Sequence, residues 1–328
     1  MVLKKVRFKY QMNTTFKAPF WLPDGHFQSI YPSVFRKIKD INYERERLEL
    51  PDGDFLDLDW LKNKSKRLVI LTHGLEGNST RAYMLGMAKT MQNEGYDVLA
   101  WNCRSCSGEM NRLLKLYNHG DPSDLATVVK YALQSVDYQK IALVGFSMGG
   151  ALTMNYLGRT NDIPSQVVSG IGFSMPTDLT SSVPLLDLPE NWLYKRKFLT
   201  QLGNKVRAKA QLFPDLIDLS HLENVKIWRD FDVHYTTLLG NYATPEDFYT
   251  KGSSIHVLHE IKVPFLICNA INDPILCPEC SPKHLANSLP LFTLETPKDG
   301  GHVGFFPYKN KESWMDWRVR NWLNTIGF

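Results

Sequence analysis

A chain of 328 residues with 43% hydrophobic and 22% charged side chains has the make-up of a globular protein with a large core. Its 38 basic against 34 acidic side chains leave a formal charge of only +4, too small a surplus to argue for a nucleic-acid partner. Apolar runs such as Leu68-Val69-Ile70-Leu71 are far too short to span a bilayer.

The chain opens on the basic stretch Met1-Val2-Leu3-Lys4-Lys5-Val6-Arg7-Phe8-Lys9-Tyr10, which lacks the apolar segment and small-residue cleavage site of a secretory leader. A cytoplasmic location is expected. Two readings suit the stretch itself: a solvated leader, or a weak peripheral contact with an anionic membrane surface. Residues 1–40 are read as an N-terminal extension packing on the core, and nothing in them fixes an oligomeric state.

Strands are expected at 44–50 and 55–60, flanking the turn Pro51-Asp52-Gly53-Asp54, as an edge hairpin. Further strands at 67–72, 96–102, 140–146, 167–173, 264–269 and 291–295 alternate with helices near 82–93, 124–133 and 151–157. That alternation predicts a mostly parallel eight-stranded α/β sheet with helices on both faces. Asp121-Pro122 suits the start of the second helix, with aspartate as N-cap and proline at the first helical position. A last helix starts near Ser313, where Ser313-x-x-Asp316 has the form of a capping box. Its Trp314, Trp317 and Trp322, at i, i+3 and i+8, are expected to pack together in the core.

Between the sixth and seventh strands, residues 175–258 show no strand pattern and are too many for a plain loop. A helical cap is expected there, shutting out water and shaping a substrate pocket. The core would then comprise 41–174 and 259–328. Of the five cysteines, Cys103 and Cys106 follow the fourth strand, while Cys277 and Cys280 follow the seventh. Four strand gaps at ~4.8 Å each separate the pairs by roughly 19 Å, so a shared zinc site is not expected. His256-x-x-His259-Glu260 has the wrong order for the H-E-x-x-H motif. No metal is expected, and reduced thiols fit the location.

Chemistry centres on Gly145-Phe146-Ser147-Met148-Gly149. It follows an apolar strand and precedes a helix, the context of a nucleophile elbow. A serine hydroxyl needs a base, and the base an orienting carboxylate, here expected in the order serine, acid, histidine. Asp273 ends the seventh strand and is the expected acid, with Asn272 and Asp299 as rival side chains and an Asp-Pro turn as its plainer role. His302, in Gly300-Gly301-His302-Val303-Gly304-Phe305 after the eighth strand, is the expected general base. Backbone N–H groups for an oxyanion are assigned to Met148 and to Leu75, in the loop after the third strand. His73 is expected to shape that loop and not to react.

His73-Gly74-Leu75-Glu76-Gly77, Gly145-Phe146-Ser147-Met148-Gly149-Gly150, Gly300-Gly301-His302-Val303-Gly304-Phe305 and Gly25-His26-Phe27-Gln28-Ser29-Ile30-Tyr31-Pro32 together resemble the YheT-like branch of the α/β-hydrolases. Asn102-Cys103-Arg104-Ser105-Cys106-Ser107-Gly108-Glu109 belongs to the same pattern, with Cys103 and Ser105 where the family more often shows an aromatic and a glycine. The resemblance covers nearly the whole chain. It implies an α/β-hydrolase fold, no cofactor, and hydrolysis of small-molecule esters, of the short-chain or monoacylglycerol type, through an acyl-enzyme. Transfer of the acyl group to an alcohol is the alternative, and His119-x-x-x-x-Asp124 formally matches an acyltransferase pattern. A catalytically inactive binding scaffold is the reading from another class.

Overall fold

A computed structural model describes residues 16–306 and 312–328. The basic stretch 1–10 lies outside the described residues. Strands β1 (Glu44–Glu49), β2 (Phe55–Leu61), β3 (Arg67–Thr72), β4 (Asp97–Asn102), β5 (Lys140–Phe146), β6 (Val167–Phe173), β7 (Phe265–Cys268) and β8 (Phe292–Glu295) form one sheet. Their order is β1-β2-β4-β3-β5-β6-β7-β8. β2 runs antiparallel to β1 and β4, and every other pairing is parallel. Each strand falls within a residue or two of its expected position.

Alternation along the strands divides the core into two layers. β3 sends Leu68 and Ile70 to one face and Val69 and Leu71 to the other. Four helices matter for the site: α1 (Gly25–Phe35), α2 (Ala82–Asn93), α3 (Ser123–Ser135) and α4 (Met148–Arg159). α3 and α4 cover the first face through Leu125, Val128, Val129 and Leu152. α2 and the C-terminal helix Trp314–Thr325 cover the second through Met84, Met87, Met91, Val319 and Leu323. The sheet is thus buried on both sides, as parallel sheets require.

Two local expectations are corrected. Trp314 and Trp322 are buried, but Trp317 is 36% exposed. The buried arc runs through Trp314, Met315, Val319, Trp322 and Leu323, and at ~100° per residue position 317 falls just outside it. At the start of α3, Pro122 itself holds the capping position. Asp121 stands one residue further out and accepts the Ser123 N–H at 3.0 Å.

Between β6 and β7 the chain is helical. The long helix Trp192–Leu212 and the helix Pro245–Gly252 are joined by short 3-10 and π turns. Val206, Ala210, Phe231, Tyr235 and Leu239 close a separate small core there with Leu116. No helix of the described residues is long and apolar enough to cross a membrane. All five cysteines are free and buried. Cys277 and Cys280 lie 3.5 Å apart at sulfur. Among the described residues no group of three or more His, Cys, Asp or Glu could hold a metal.

Candidate active site

Ser147 sits where β5 turns into α4, with φ 52° and ψ −124°. A non-glycine residue held there costs on the order of 1–3 kcal/mol and persists only if its surroundings impose it. Here they do. The Ser147 N–H donates to Phe173 O at 2.8 Å, and its carbonyl accepts from the Gly150 and Ala151 N–H groups. The glycines of the motif serve close approach: a Cβ on Gly145 would run into the Gly149 backbone, and one on Gly149 into the Thr72 and His73 carbonyls. α4 is thereby pressed against the ends of β3 and β5, which lifts the serine to the carboxyl edge of the sheet.

His302 Nε2 lies 2.8 Å from Ser147 Oγ. On its other side, His302 Nδ1 lies 2.9 and 3.1 Å from the two carboxylate oxygens of Asp273. An acceptor at Nδ1 keeps the proton on that nitrogen and leaves Nε2 free to accept the serine hydroxyl proton. The Asp273 side chain is fully buried and that of His302 is 12% exposed. The rival Asn272 plays another part: its Oδ1 accepts the Gly301 N–H at 3.0 Å and its Nδ2 donates to Gln28 Oε1 at 2.9 Å. Asp299 does not reach the histidine.

Sequence reasoning missed the contribution of α1. Gln28 Oε1 also accepts the Gly300 N–H at 2.7 Å, and Ser29 Oγ accepts the His302 N–H at 2.6 Å. Gln28 is 2% exposed and is itself held by Leu22 O. Gly301 takes φ 58° against the Gly25 carbonyl and Ser29, a position only glycine fills without strain. One helix near the amino end thus fixes both the acid loop and the histidine loop. The only signal was the motif Gly25-His26-Phe27-Gln28-Ser29, whose side chains carry no recognisable catalytic spacing.

The turn after β3 lies beside the serine: a Cβ on Gly74 would come 3.1 Å from Ser147 Cβ. His73 locks this turn. Its Nδ1–H donates to Gly74 O at 2.8 Å and its Nε2 accepts the Cys103 N–H at 3.1 Å. Complete burial pushes its pKa down to about 4, so the ring is neutral near pH 7. Among the described residues the N–H groups of Leu75 and Met148 have no protein acceptor, and Met148 opens α4, where such donors are orphaned. Glu76 follows with φ 53°. Its buried carboxylate pairs with Lys205 of the long helix Trp192–Leu212 at 2.8 Å and accepts the Tyr117 O–H at 2.5 Å. The ion pair ties the helical segment between β6 and β7 to the turn beside the serine.

Two cavities meet at Ser147 and His302. One, about 120 Å³, runs under the helical segment and is walled by apolar side chains including Leu186, Phe198, Leu202, Trp228, Leu239 and Phe248. The other, about 370 Å³, is more polar, with Ser29, Glu76, Arg81, Tyr194, Lys197 and Gln201 in its wall. The His119-x-x-x-x-Asp124 pattern does not form a dyad, because Arg104 engages both Asp124 oxygens at 2.7 and 2.9 Å. His256 and His259 are exposed.

A family model described as alpha/beta hydrolase fold matches residues 67–307. The Escherichia coli (strain K12) protein YheT, named as a candidate esterase, is 31% identical over 311 residues, spanning 92% of this chain and 90% of its own. The human phospholipase ABHD3 is 26% identical over 314 residues, spanning 92% of this chain and 76% of its own. Among solved structures, the Pyrococcus furiosus esterase Pf2001 matches with a TM-score of 0.59 at 17% identity over 97% of both chains, a likeness of fold alone. The chain belongs to the α/β-hydrolase family and, within it, to the branch that contains YheT.

Proposed function

We propose that the protein is a serine hydrolase of carboxylic esters. The observation that carries this reading is the continuous hydrogen-bonded line from Ser147 Oγ through His302 to the buried carboxylate of Asp273. Nε2 takes the hydroxyl proton as Oγ attacks the ester carbonyl, and Asp273 stabilises the imidazolium that forms. The negative charge that develops on the carbonyl oxygen is met by the Leu75 and Met148 N–H groups. His302 then gives its proton to the departing alcohol, and water, activated by the same nitrogen, releases the acid from Ser147.

The two cavities suggest how an ester divides. An apolar acyl chain fits the narrow cavity under the helical segment, and the alcohol portion fits the wider, polar one. Esterase and lipase-type relatives support the ester class. The test is turnover of p-nitrophenyl esters of graded acyl length by wild type and Ser147→Ala. Loss by at least about 10⁴-fold in a folded variant is expected, whereas undiminished turnover would sink the proposal.

A further inference from the structure

α1 is amphipathic in the reverse sense. Its buried residues are Gly25, Gln28, Ser29 and Pro32, while Phe27, Val34 and Phe35 are 56%, 60% and 62% exposed. With Tyr31 these three stand at i, i+4, i+7 and i+8, a single apolar stripe of the helix, and the Tyr31 and Phe35 rings lie 5.0 Å apart. A helix at the surface of a globular domain turns such a stripe toward the core. Here the core side is taken by the polar side chains that brace the loops of Asn272 and His302, and the stripe is left in solvent.

The apolar surface continues to either side. Phe20, before the helix, is 86% exposed, and Trp21 meets Tyr31 edge-on with ring centroids 4.7 Å apart. The long helix Trp192–Leu212 begins with exposed Trp192 and Leu193, and its Tyr194 stacks on His26 of α1 at 5.8 Å, so the two segments adjoin. Val34 from one and Leu193 from the other both stand in the wall of the wide cavity that reaches Ser147. Single exposed apolar side chains need no explanation, but a cluster of large ones at the mouth of a cavity marks a surface that meets an apolar partner.

Charge narrows the partner. Lys17, Lys37, Lys39, Arg196 and Lys197 are exposed on the segments 16–40 and 188–197, and none has an ion-pair partner among the described residues. Arg196 and Lys197 stand one turn beyond Trp192 and Leu193, on the same sides of their helix. The five cations outnumber the acids there that lack a cation of their own, Asp24 and Glu190; Asp40 is held by Lys89. An apolar patch set among unpaired cations complements a layer of anionic lipid. A second protein seated on it would close the cavity mouth, whereas a lipid layer presents esters to it.

We infer that this face docks on an anionic lipid surface. The rings of Phe20, Phe27, Phe35 and Trp192 enter the headgroup layer, the cations lie against lipid phosphates, and an ester passes from the layer into the wide cavity. The depth is that of a helix lying in the interface plane, and no helix of the described residues is long and apolar enough to cross. The docking does not depend on the basic stretch 1–10. It adds to the ester-hydrolase reading the source from which the substrate comes, and only that last step rests on it.

The test is flotation of the full chain with vesicles of phosphatidylcholine alone or with about one third phosphatidylglycerol, at low and high salt. Retention on the anionic vesicles is expected, at least about tenfold above the neutral ones and falling as salt rises. Phe27→Ser, Phe35→Ser and Trp192→Ser together should lower it at least about tenfold, while turnover of a water-soluble p-nitrophenyl ester stays at the wild-type level. If that protein fails to fold, Lys37→Glu with Arg196→Glu reads the same face through its charge and should lower retention as much. Lys4→Gln, Lys5→Gln, Arg7→Gln and Lys9→Gln together should leave most of it. Retention is read without turnover, so a failed hydrolase assignment leaves the docking measurable. Retention unaffected by the ring and charge substitutions, or lost with the amino-terminal cations instead, would overturn the inference. So would a dimer in lipid-free sedimentation that the serine substitutions dissolve, which would make a second copy the occupant.

Discussion

Ser29 Oγ accepts the backbone N–H of His302 at 2.6 Å while donating to Gly25 O at 2.5 Å. A residue of α1 thus holds the proposed base 273 positions along the chain. With Gln28 bridging Gly300 and Asn272, it sets where Nε2 points. Positional errors of about 1 Å in such a group cost on the order of 10²-fold. Gln28→Ala and Ser29→Ala are therefore expected to lower kcat by roughly 10- to 100-fold, with a smaller effect on KM. Steady-state kinetics on a p-nitrophenyl ester checks this, and an equal rise in KM with kcat intact would contradict it.

Asp273→Asn probes the acid without emptying its site. The asparagine would present an amide to Nδ1 and favour the wrong tautomer, leaving Nε2 protonated and unable to accept from Ser147. A loss of about 10⁴-fold in kcat is expected, with labelling by a fluorophosphonate slowed in parallel. Labelling at the wild-type rate would remove Asp273 from the mechanism.

Lys205 and Glu76 form an ion pair whose side chains are 13% and 5% exposed. Removing one partner of such a buried pair strands the other charge, at a cost of about 3–5 kcal/mol. Lys205→Met should destabilise by roughly that much in urea titration. Because Glu76 adjoins Leu75, activity should also fall at temperatures where the variant is still folded. A variant as stable as wild type would show that the Tyr117 hydroxyl suffices for the carboxylate.

Burial raises the Asp232 carboxyl from 3.8 to about 6. The folded state therefore holds this proton more tightly than the unfolded chain does, and stability declines as pH rises from about 4 through about 6. Asp232→Asn removes the ionisation, so it should raise Tm at pH 8 and have little effect near pH 4. A two-unit shift caps the gain at about 3 kcal/mol. Thermal melts of both proteins at the two pH values decide it, and a variant less stable at pH 8 than wild type would reverse the assignment.

The sheet was legible because strand and helix periods differ and each strand is bounded by turn residues. Ser147 and His302 stood out for the same local reason, each embedded in glycines after a strand. Asp273 and Asn272 could not be separated by spacing, since neighbours in a turn point in different directions and only the fold shows which one meets Nδ1. Gln28 and Ser29 were illegible as site residues because their partners lie more than 240 positions away. Trp317 failed because spacing of three places it at the edge of an arc whose centre the sequence does not reveal.

The matched family segment begins at residue 67, after α1 has ended at Phe35. A protein trimmed to that segment would keep the serine, the carboxylate and the histidine yet lose the struts that aim the last of them. The segment that carries the family signature is accordingly smaller than the unit that holds the histidine in place, because the bracing side chains come from residues 28 and 29 and the loop they brace from residues 300–302.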